Sequence, residues 1–332
     1  MELNESGADT SLRAPRMHRL LVIKPSSLGD IVHGLQVVQR AVKARPELRV
    51  SWVVRERFAG LVQAAPFVSE VIIFRRRDGW PAFVRLLRQL KAGRWDQVWD
   101  MQGLLRSALM TAAARAPVKW GRPDAREGSG WFYHRRITEP KGEGPHHAIE
   151  VLLPFLQTLD LPIAWSEEPL ELRRDGTFGW EEFFAGDPGK TFVIFTDSRG
   201  AAKEWKRYDE LMKGILDTVP GSRIAWCAGK KTAAAFAAPE ERLLNLTGCS
   251  LAEMIALVRQ KSVFVGNDSG PMHLSAAVGN RVLAIFGPTS PRRFGPFPLE
   301  SRRHAAVVAP GGKLSELTPA AVLAALEELR SR

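Results

Sequence analysis

The stretch that most constrains this chain is Val265-Gly-Asn-Asp-Ser-Gly-Pro-Met-His-Leu-Ser-Ala-Ala-Val278, set between two apolar, strand-like runs. It reads as a buried strand ending at Asn267-Asp268, a tight turn at Ser269-Gly270, and a helix starting at Pro271. Such a junction leaves backbone N–H groups without intrahelical partners and puts the positive end of the helix dipole at the same spot. Phosphate groups bind well there. A second junction opens the other half of the chain. It runs through Leu20-Leu-Val-Ile-Lys24, the loop Pro25-Ser-Ser-Leu-Gly-Asp30, and a helix with an apolar stripe at Ile31, Leu35, Val38 and Val42. Two phosphate-type turns, one per half, predict a cleft between two Rossmann-like units. The 332 residues are enough for both.

Strands and helices alternate in each half, the pattern of a parallel sheet covered by helices. Strands are expected at 20–24, 49–54, 71–74, 97–101 and 118–121, then at 191–196, 223–227, 262–266 and 281–286. Helices are expected at 147–159, 208–218, 251–258, 271–278 and 319–329. The tract 123–145, rich in Gly, Arg and aromatics, reads as an insertion or active-site loop. The Pro-, Gly- and charge-rich segment 162–188 carries the connection. The expected architecture is α/β: two Rossmann-like, doubly wound domains facing a cleft. A flexible tail (1–16) precedes a first domain (17–165), and a second domain (175–332) ends in a closing helix.

Composition narrows the function classes. Hydrophobic content of 45% and charged content of 25% are those of a soluble globular protein. No apolar run approaches the length of a membrane span. The first sixteen residues lack the apolar core of an export signal, so a cytoplasmic location is expected. Cys227 and Cys249 have no metal-ligand spacing and are expected to be free thiols. The net charge of +11 implies an anionic partner. Its visible clusters are Arg75-Arg-Arg77, Arg292-Arg293 and Arg302-Arg303, each read singly as a solvated basic face. With no zinc-finger spacing, RRM signature or basic heptad helix, nucleic acid is not the expected partner.

Neither turn is a G-x-G-x-x-G, and no P-loop occurs, which argues against a standard dinucleotide oxidoreductase and an ordinary NTPase. There is no H-E-x-x-H, D-x-D or Cys/His cluster, so no metal is indicated. A nucleotide diphosphate would then be neutralised by backbone amides, helix dipoles and basic side chains, with Lys24 and Lys203 available. Asp30 has two readings, a helix N-cap or a general base at the cleft mouth. His273 either packs in the first helical turn or serves the site, and Asp268 either closes its turn locally or does the same.

Ile23-Lys-Pro-Ser-Ser-Leu-Gly-Asp30 and Asn267-Asp-Ser-Gly-Pro-Met-His-Leu-Ser-Ala-Ala277, followed by Phe286-Gly-Pro-Thr-Ser290, resemble the ADP-heptose:lipopolysaccharide heptosyltransferases. The likeness runs from about Leu20 to Leu329. Trp95-Asp-Gln-Val-Trp-Asp-Met-Gln-Gly-Leu-Leu-Arg-Ser107 resembles the branch that adds the first heptose to Kdo. Asp124-Ala-Arg-Glu127, Trp131-Phe-Tyr133 and His147-Ala-Ile-Glu150 continue it.

The resemblance implies an inverting glycosyltransferase of the GT-B fold that moves heptose from an ADP-sugar to a Kdo-lipid A type inner-core acceptor. It implies no cofactor and a peripheral place at the cytoplasmic face of the inner membrane. Asp30 matches the catalytic base and Lys203 the lysine at the diphosphate. Ser26, Ser27, Gly29, Ser198, Asp268, Ser269, Gly270 and His273 fall to the donor. Arg75, Arg76, Arg77, Gln102 and Arg106 fall to an anionic acceptor. Trp131, Phe132 and Tyr133 have two readings, dipping into the membrane interface or, the favoured one, burial in the core of the first domain.

Two departures stand out. The Thr196-Asp-Ser-Arg-Gly-Ala-Ala-Lys203-Glu-Trp205 loop keeps its lysine and tryptophan but shifts its hydroxyls, and Lys230-Lys-Thr-Ala-Ala-Ala235 offers no acidic residue to a ribose. Another nucleotide sugar or acceptor, epimerisation, and a non-catalytic nucleotide-sugar binder therefore remain open alternatives. Product analysis separates them, since an epimerase needs no acceptor.

Overall fold

The computed structural model describes residues 18–173, 176–198, 200–230, 236 and 238–332. The polar tail (1–16) and positions 231–235, where the missing ribose acid was noted, lie outside the described residues. The first half contains β1 (His18–Ile23), α1 (Leu28–Ala44), β2 (Leu48–Arg55), α2 (Ala59–Ala64), β3 (Val68–Phe74), α3 (Gly79–Ala92), β4 (Gln97–Asp100), α4 (Leu105–Ala113), β5 (Val118–Gly121) and β6 (Arg135–Arg136). The second contains β7 (Thr191–Phe195), α5 (Tyr208–Thr218), β8 (Arg223–Ala228), β9 (Leu243–Thr247), α6 (Leu251–Val258), β10 (Val263–Asn267), α7 (Gly270–Ala277), β11 (Arg281–Phe286), α8 (Pro291–Phe294), β12 (His304–Val308) and α9 (Pro319–Ser331).

Each half forms a six-stranded sheet with the same order: β3-β2-β1-β4-β5-β6 in the first, β9-β8-β7-β10-β11-β12 in the second. The paired strands run parallel throughout. The doubly wound α/β architecture is therefore as expected. In such sheets the crevice opens where the order reverses, outside the carboxyl ends of the strands. Those points lie between β1 and β4 and between β7 and β10, and both phosphate-type turns leave from them.

Central parallel strands are covered on both faces and so read as apolar runs. Leu20, Leu21, Val22 and Ile23 of β1 are all fully buried. Helix α1 departs from the single stripe expected of it. It is buried almost all round because it packs on the first sheet, with Gly34 against Trp52, and on α7. One apolar cluster thus runs from Leu20 through Leu35 and Met272 to Phe264, joining the two halves. Helix α9 packs through Val322, Leu326 and Leu329 onto the outer layer of the second sheet.

Three further expectations change. The segment 147–159 is not an α-helix but tight turns ending in a 3-10 stretch, Leu153–Leu159, consistent with Pro154 withholding a backbone donor. Strands β6, β9 and β12 were not foreseen. Trp131 does not enter the core: it is 91% exposed, while Phe132 and Tyr133 are half-buried. Cys227 and Cys249 are free. The connecting segment is stitched to the first half by Gln39, whose Nε2 donates to Pro169 O (2.9 Å) and whose Oε1 accepts from Glu171 N (2.7 Å). It meets the end of α7 through Leu170 N to Ala277 O (2.7 Å).

Candidate active site

Ser27, not Asp30, is the N-cap of α1; Asp30 sits in the first turn and its carboxylate reaches back. Asp30 Oδ2 accepts from Ser27 N (3.0 Å) and Ser27 Oγ (2.6 Å). Its other oxygen lies 3.5 Å from Lys24 Nζ. Lys24 is buried, donates to Met101 O (2.9 Å), and belongs to the wall behind Asp30 rather than to the turn of α7. Burial alone would push the Asp30 carboxyl up, but the Lys24 ammonium and the two Ser27 bonds outweigh it. They hold the group well below the usual carboxylate range. Burial pulls the Lys24 ammonium down, partly offset by Asp30. The Asp30 side chain remains 39% exposed, open to the cleft.

The second turn is fixed from below by Asn267, a buried side chain at the end of β10. Its Nδ2 donates to Thr196 O (2.8 Å) and its Oδ1 accepts from Trp205 N (3.1 Å), tying the 196–205 loop to the strand. That loop delivers Lys203, whose Nζ is 2.6 Å from Asp268 Oδ2. Thr289 Oγ1 donates to the same oxygen (2.8 Å), and Ser198 Oγ to Asp268 O (3.1 Å). Asp268 therefore positions Lys203. Ser269 caps α7, and its hydroxyl is buried without a hydrogen-bond partner.

The two helix starts meet across the halves. A Cβ on Gly29 would stand 2.5 Å from His273 Cδ2, and one on Gly270 would stand 2.6 Å from Leu28 Cδ2. Glycine is needed at both positions for this approach. Above the contact lies a hollow of ≈ 490 Å³ whose lining includes Asp30, Ser198, Lys203, Asp268, Ser269 and Gly270. His273 lines it too, with Nδ1 3.2 Å from His33 Nε2. His147 stands edge-on to His33, with ring centroids 5.3 Å apart.

Asp30 also lines a second hollow of ≈ 670 Å³ with Lys24, Gln102, Arg122, Arg126, His146 and Arg293. Arg122 is held there by Asp124 through two bonds of 2.8 and 2.6 Å. Buried Asp100 shapes the adjoining loop, accepting from Gln102 N (2.9 Å), Gly103 N (3.1 Å) and Tyr133 Oη (3.0 Å). A third hollow, ≈ 430 Å³, brings together Ser26, Arg76, Gln102 and Arg106 with Trp80 and Leu105. The five residues proposed for the acceptor thus divide. Arg76, Gln102 and Arg106 converge, Arg75 turns to Glu56 (3.4 Å), and exposed Arg77 lines none of these hollows.

Sequence reasoning missed His33, Arg122, Arg126, Thr289, Arg293 and Phe294 as site residues. Signals existed for some: Thr289 and Arg293 sit in and just after Phe286-Gly-Pro-Thr-Ser290, and Arg126 in Asp124-Ala-Arg-Glu127. Arg293 was read as part of a solvated face, yet it lines the cleft. Among the described residues no group of three or more His, Cys, Asp or Glu is arranged to hold a metal ion. None of their helices is long and apolar enough to cross a membrane.

Two parallel sheets of identical order, their switch points facing one cleft across a carboxylate and a lysine, define a two-domain transferase fold of the GT-B kind. The chain belongs to glycosyltransferase family 9 (heptosyltransferase), whose model matches residues 83–315. It is 32% identical over 289 residues to lipopolysaccharide heptosyltransferase 1 of Pseudomonas aeruginosa, covering 82% of this chain and 79% of that one. It is 28% identical over 335 residues to the Escherichia coli K12 enzyme of the same name, covering 94% and 100%. Among solved structures, Escherichia coli heptosyltransferase WaaC with ADP superposes with a TM-score of 0.73 at 27% identity, covering 94% of this chain and 99% of that one. WaaC with ADP-2-deoxy-2-fluoro heptose gives 0.71 at 26%, covering 93% and 99%.

Proposed function

We propose that this chain transfers heptose from ADP-heptose to the Kdo of a lipid A-linked inner-core acceptor, inverting the anomeric carbon. The observation that carries this reading is the place of Asp30, on the wall shared by the Lys203 hollow and the arginine-lined hollow. The donor diphosphate occupies the first, over the start of α7. There Lys203, the free Ser269 hydroxyl and backbone amides meet its charge. An acidic, phosphorylated acceptor occupies the second, against Arg122, Arg126 and Arg293.

The acceptor hydroxyl attacks the anomeric carbon from the face opposite the diphosphate. The new C–O bond forms as the sugar–phosphate bond breaks, the bonding pair leaves with ADP, and the hydroxyl proton passes to Asp30. A carboxylate held this far below its usual range is a weak base in the ground state. It accepts the proton late, once bond formation has made the hydroxyl strongly acidic. The enzyme works peripherally at the cytoplasmic face of the inner membrane, where such an acceptor is presented.

Asp30→Asn keeps the shape of the site and removes the base. Transfer of heptose, followed by product analysis, should be abolished while the thermal shift on adding ADP persists. Unchanged turnover would reduce Asp30 to a partner of Ser27. A shift panel of ADP, UDP, GDP and CMP tests the donor, and a selective response to UDP would overturn the ADP assignment.

A further inference from the structure

Large apolar side chains scattered singly on a surface need no explanation, but a cluster does. Among the described residues five are exposed: Trp80 (66%), Leu105 (42%), Trp131 (91%), Ile163 (43%) and Val308 (51%). Trp80 and Leu105 stand in the first turns of α3 and α4, which follow β3 and β4, and Trp131 in the loop after β5, all at the carboxyl end of the first sheet. They are linked through the fold. Trp80 and Leu105 line one hollow. Leu105 N donates to Glu127 Oε2 (3.1 Å), and the turn after Glu127 packs on α4 and carries Trp131. Arg126 N to Gly103 O (3.0 Å) ties that loop down. Exposed Arg76, Arg77, Arg106 and Arg126 lie in the same segments as the three apolar groups, against exposed Asp78, Asp124 and Glu127, of which Asp124 is paired with Arg122.

We infer that this face docks on a bilayer containing anionic phospholipid. Tryptophan settles at the headgroup level, where its ring is apolar and its indole N–H stays hydrated. Arginines beside it gain from the negative surface potential. A bilayer is the occupant because the cationic rim matches an anionic lipid surface and the acceptor served by this site is itself lipid-linked. The inference deepens the reading above by naming the surface through which the enzyme reaches a lipid-linked acceptor. Gln102 lines both the docking hollow and the arginine-lined hollow beside Asp30, so docking sets the acceptor site against the membrane.

The test uses the full chain with vesicles of phosphatidylcholine alone and of equal phosphatidylcholine and phosphatidylglycerol, read by co-sedimentation and tryptophan emission. The parent should bind only the anionic vesicles, with a blue shift, and release as salt rises. Trp131→Ser, at a site exposed enough not to disturb folding, should bind them at least tenfold more weakly. It should turn over a delipidated, water-soluble Kdo acceptor as the parent does. Equal vesicle binding by parent and Trp131→Ser overturns the inference, as does binding by the parent that ignores lipid charge. A parent that transfers heptose but binds no vesicle sinks the docking face and leaves the activity standing. One that binds vesicles through Trp131 but transfers no heptose does the reverse.

Discussion

Gly29 and His273 approach so closely that the smallest side chain at Gly29 would fall 2.5 Å from the imidazole Cδ2. This contact sets how the first turn of α1 meets the first turn of α7, and hence where Asp30 stands relative to Lys203. Gly29→Ala must push the ring or the helix aside. Overpacking of this kind costs about 1–3 kcal/mol, and it also displaces His273 from His33. A lower melting temperature together with reduced turnover is expected. His273→Ala in the same chain removes the clash, so the double variant should be less destabilised than the two single losses added together. Strict additivity in thermal melts would show that the two residues do not press on each other.

The Lys24 ammonium is the largest influence holding the Asp30 carboxyl low. Lys24→Met keeps most of the buried volume and removes the charge. The carboxyl then rises, so at mildly acid pH more of the base is protonated and idle. The acid limb of the kcat/KM profile should move to higher pH, with the loss at pH 5 exceeding that at pH 8. An unmoved acid limb would mean that the field at Asp30 comes from elsewhere.

Much of this arrangement was legible in the chain because it is local. A strand, a short Ser/Gly turn and a helix declare themselves through apolar runs and turn residues, and these placed Asp30, Ser269 and Gly270 at helix starts. What stayed hidden depends on contacts between distant segments. The N-cap reading of Asp30 gives way to Ser27, and here a local signal was passed over, since Ser27-Leu-Gly-Asp30 has the spacing of a capping box. His33 carries no local signal, and only the packing of α1 on α7 brings it to His273. Arg122 and Arg126 lie in a tract that periodicity cannot parse, and their place follows from bonds to Asp124 and Gly103. Strand β12 escaped notice because its run His304–Val308 is short and merges into irregular chain on either side.

Lys203 and Asp268 form a contact that is only partly buried, the lysine side chain being 33% exposed, so solvent screens much of its worth. Lys203→Ala should therefore lower stability little, by about 1 kcal/mol or less. Its effect on the leaving diphosphate should be far larger. Removing one preorganised group that meets developing charge commonly costs about 3–4 kcal/mol, or a hundredfold or more in kcat. Asp268→Asn leaves a partner for Thr289 but loosens the lysine, so it should cost less in kcat than Lys203→Ala. Steady-state kinetics beside thermal melts separates the two effects, and a large loss of stability with unchanged kcat in Lys203→Ala would make the pair structural.

His33, His147 and His273 share the seam between the halves, and burial lowers all three, His273 to about 4. His147 is neutral by its partners: Nδ1 accepts from Ile149 N (3.2 Å), leaving Nε2 to donate to Gly295 O (3.0 Å). Unfolding returns each imidazole to its ordinary value near 6.5, so below that pH the unfolded chain binds more protons than the native one. Stability is then complete above about pH 6.5 and falls as the pH drops, for His273 until about pH 4. Each group contributes at most about 1.4 kcal/mol per pH unit within its window. This window lies above that of the Asp30 carboxyl, whose depressed value makes its own contribution fade only at lower pH. Denaturation at pH 7.5, 6 and 5 isolates the histidines, and His33→Gln should flatten the slope by removing one of them. Stability that stays level across that range would show the three rings to be protonated without penalty, and the seam to be open to water.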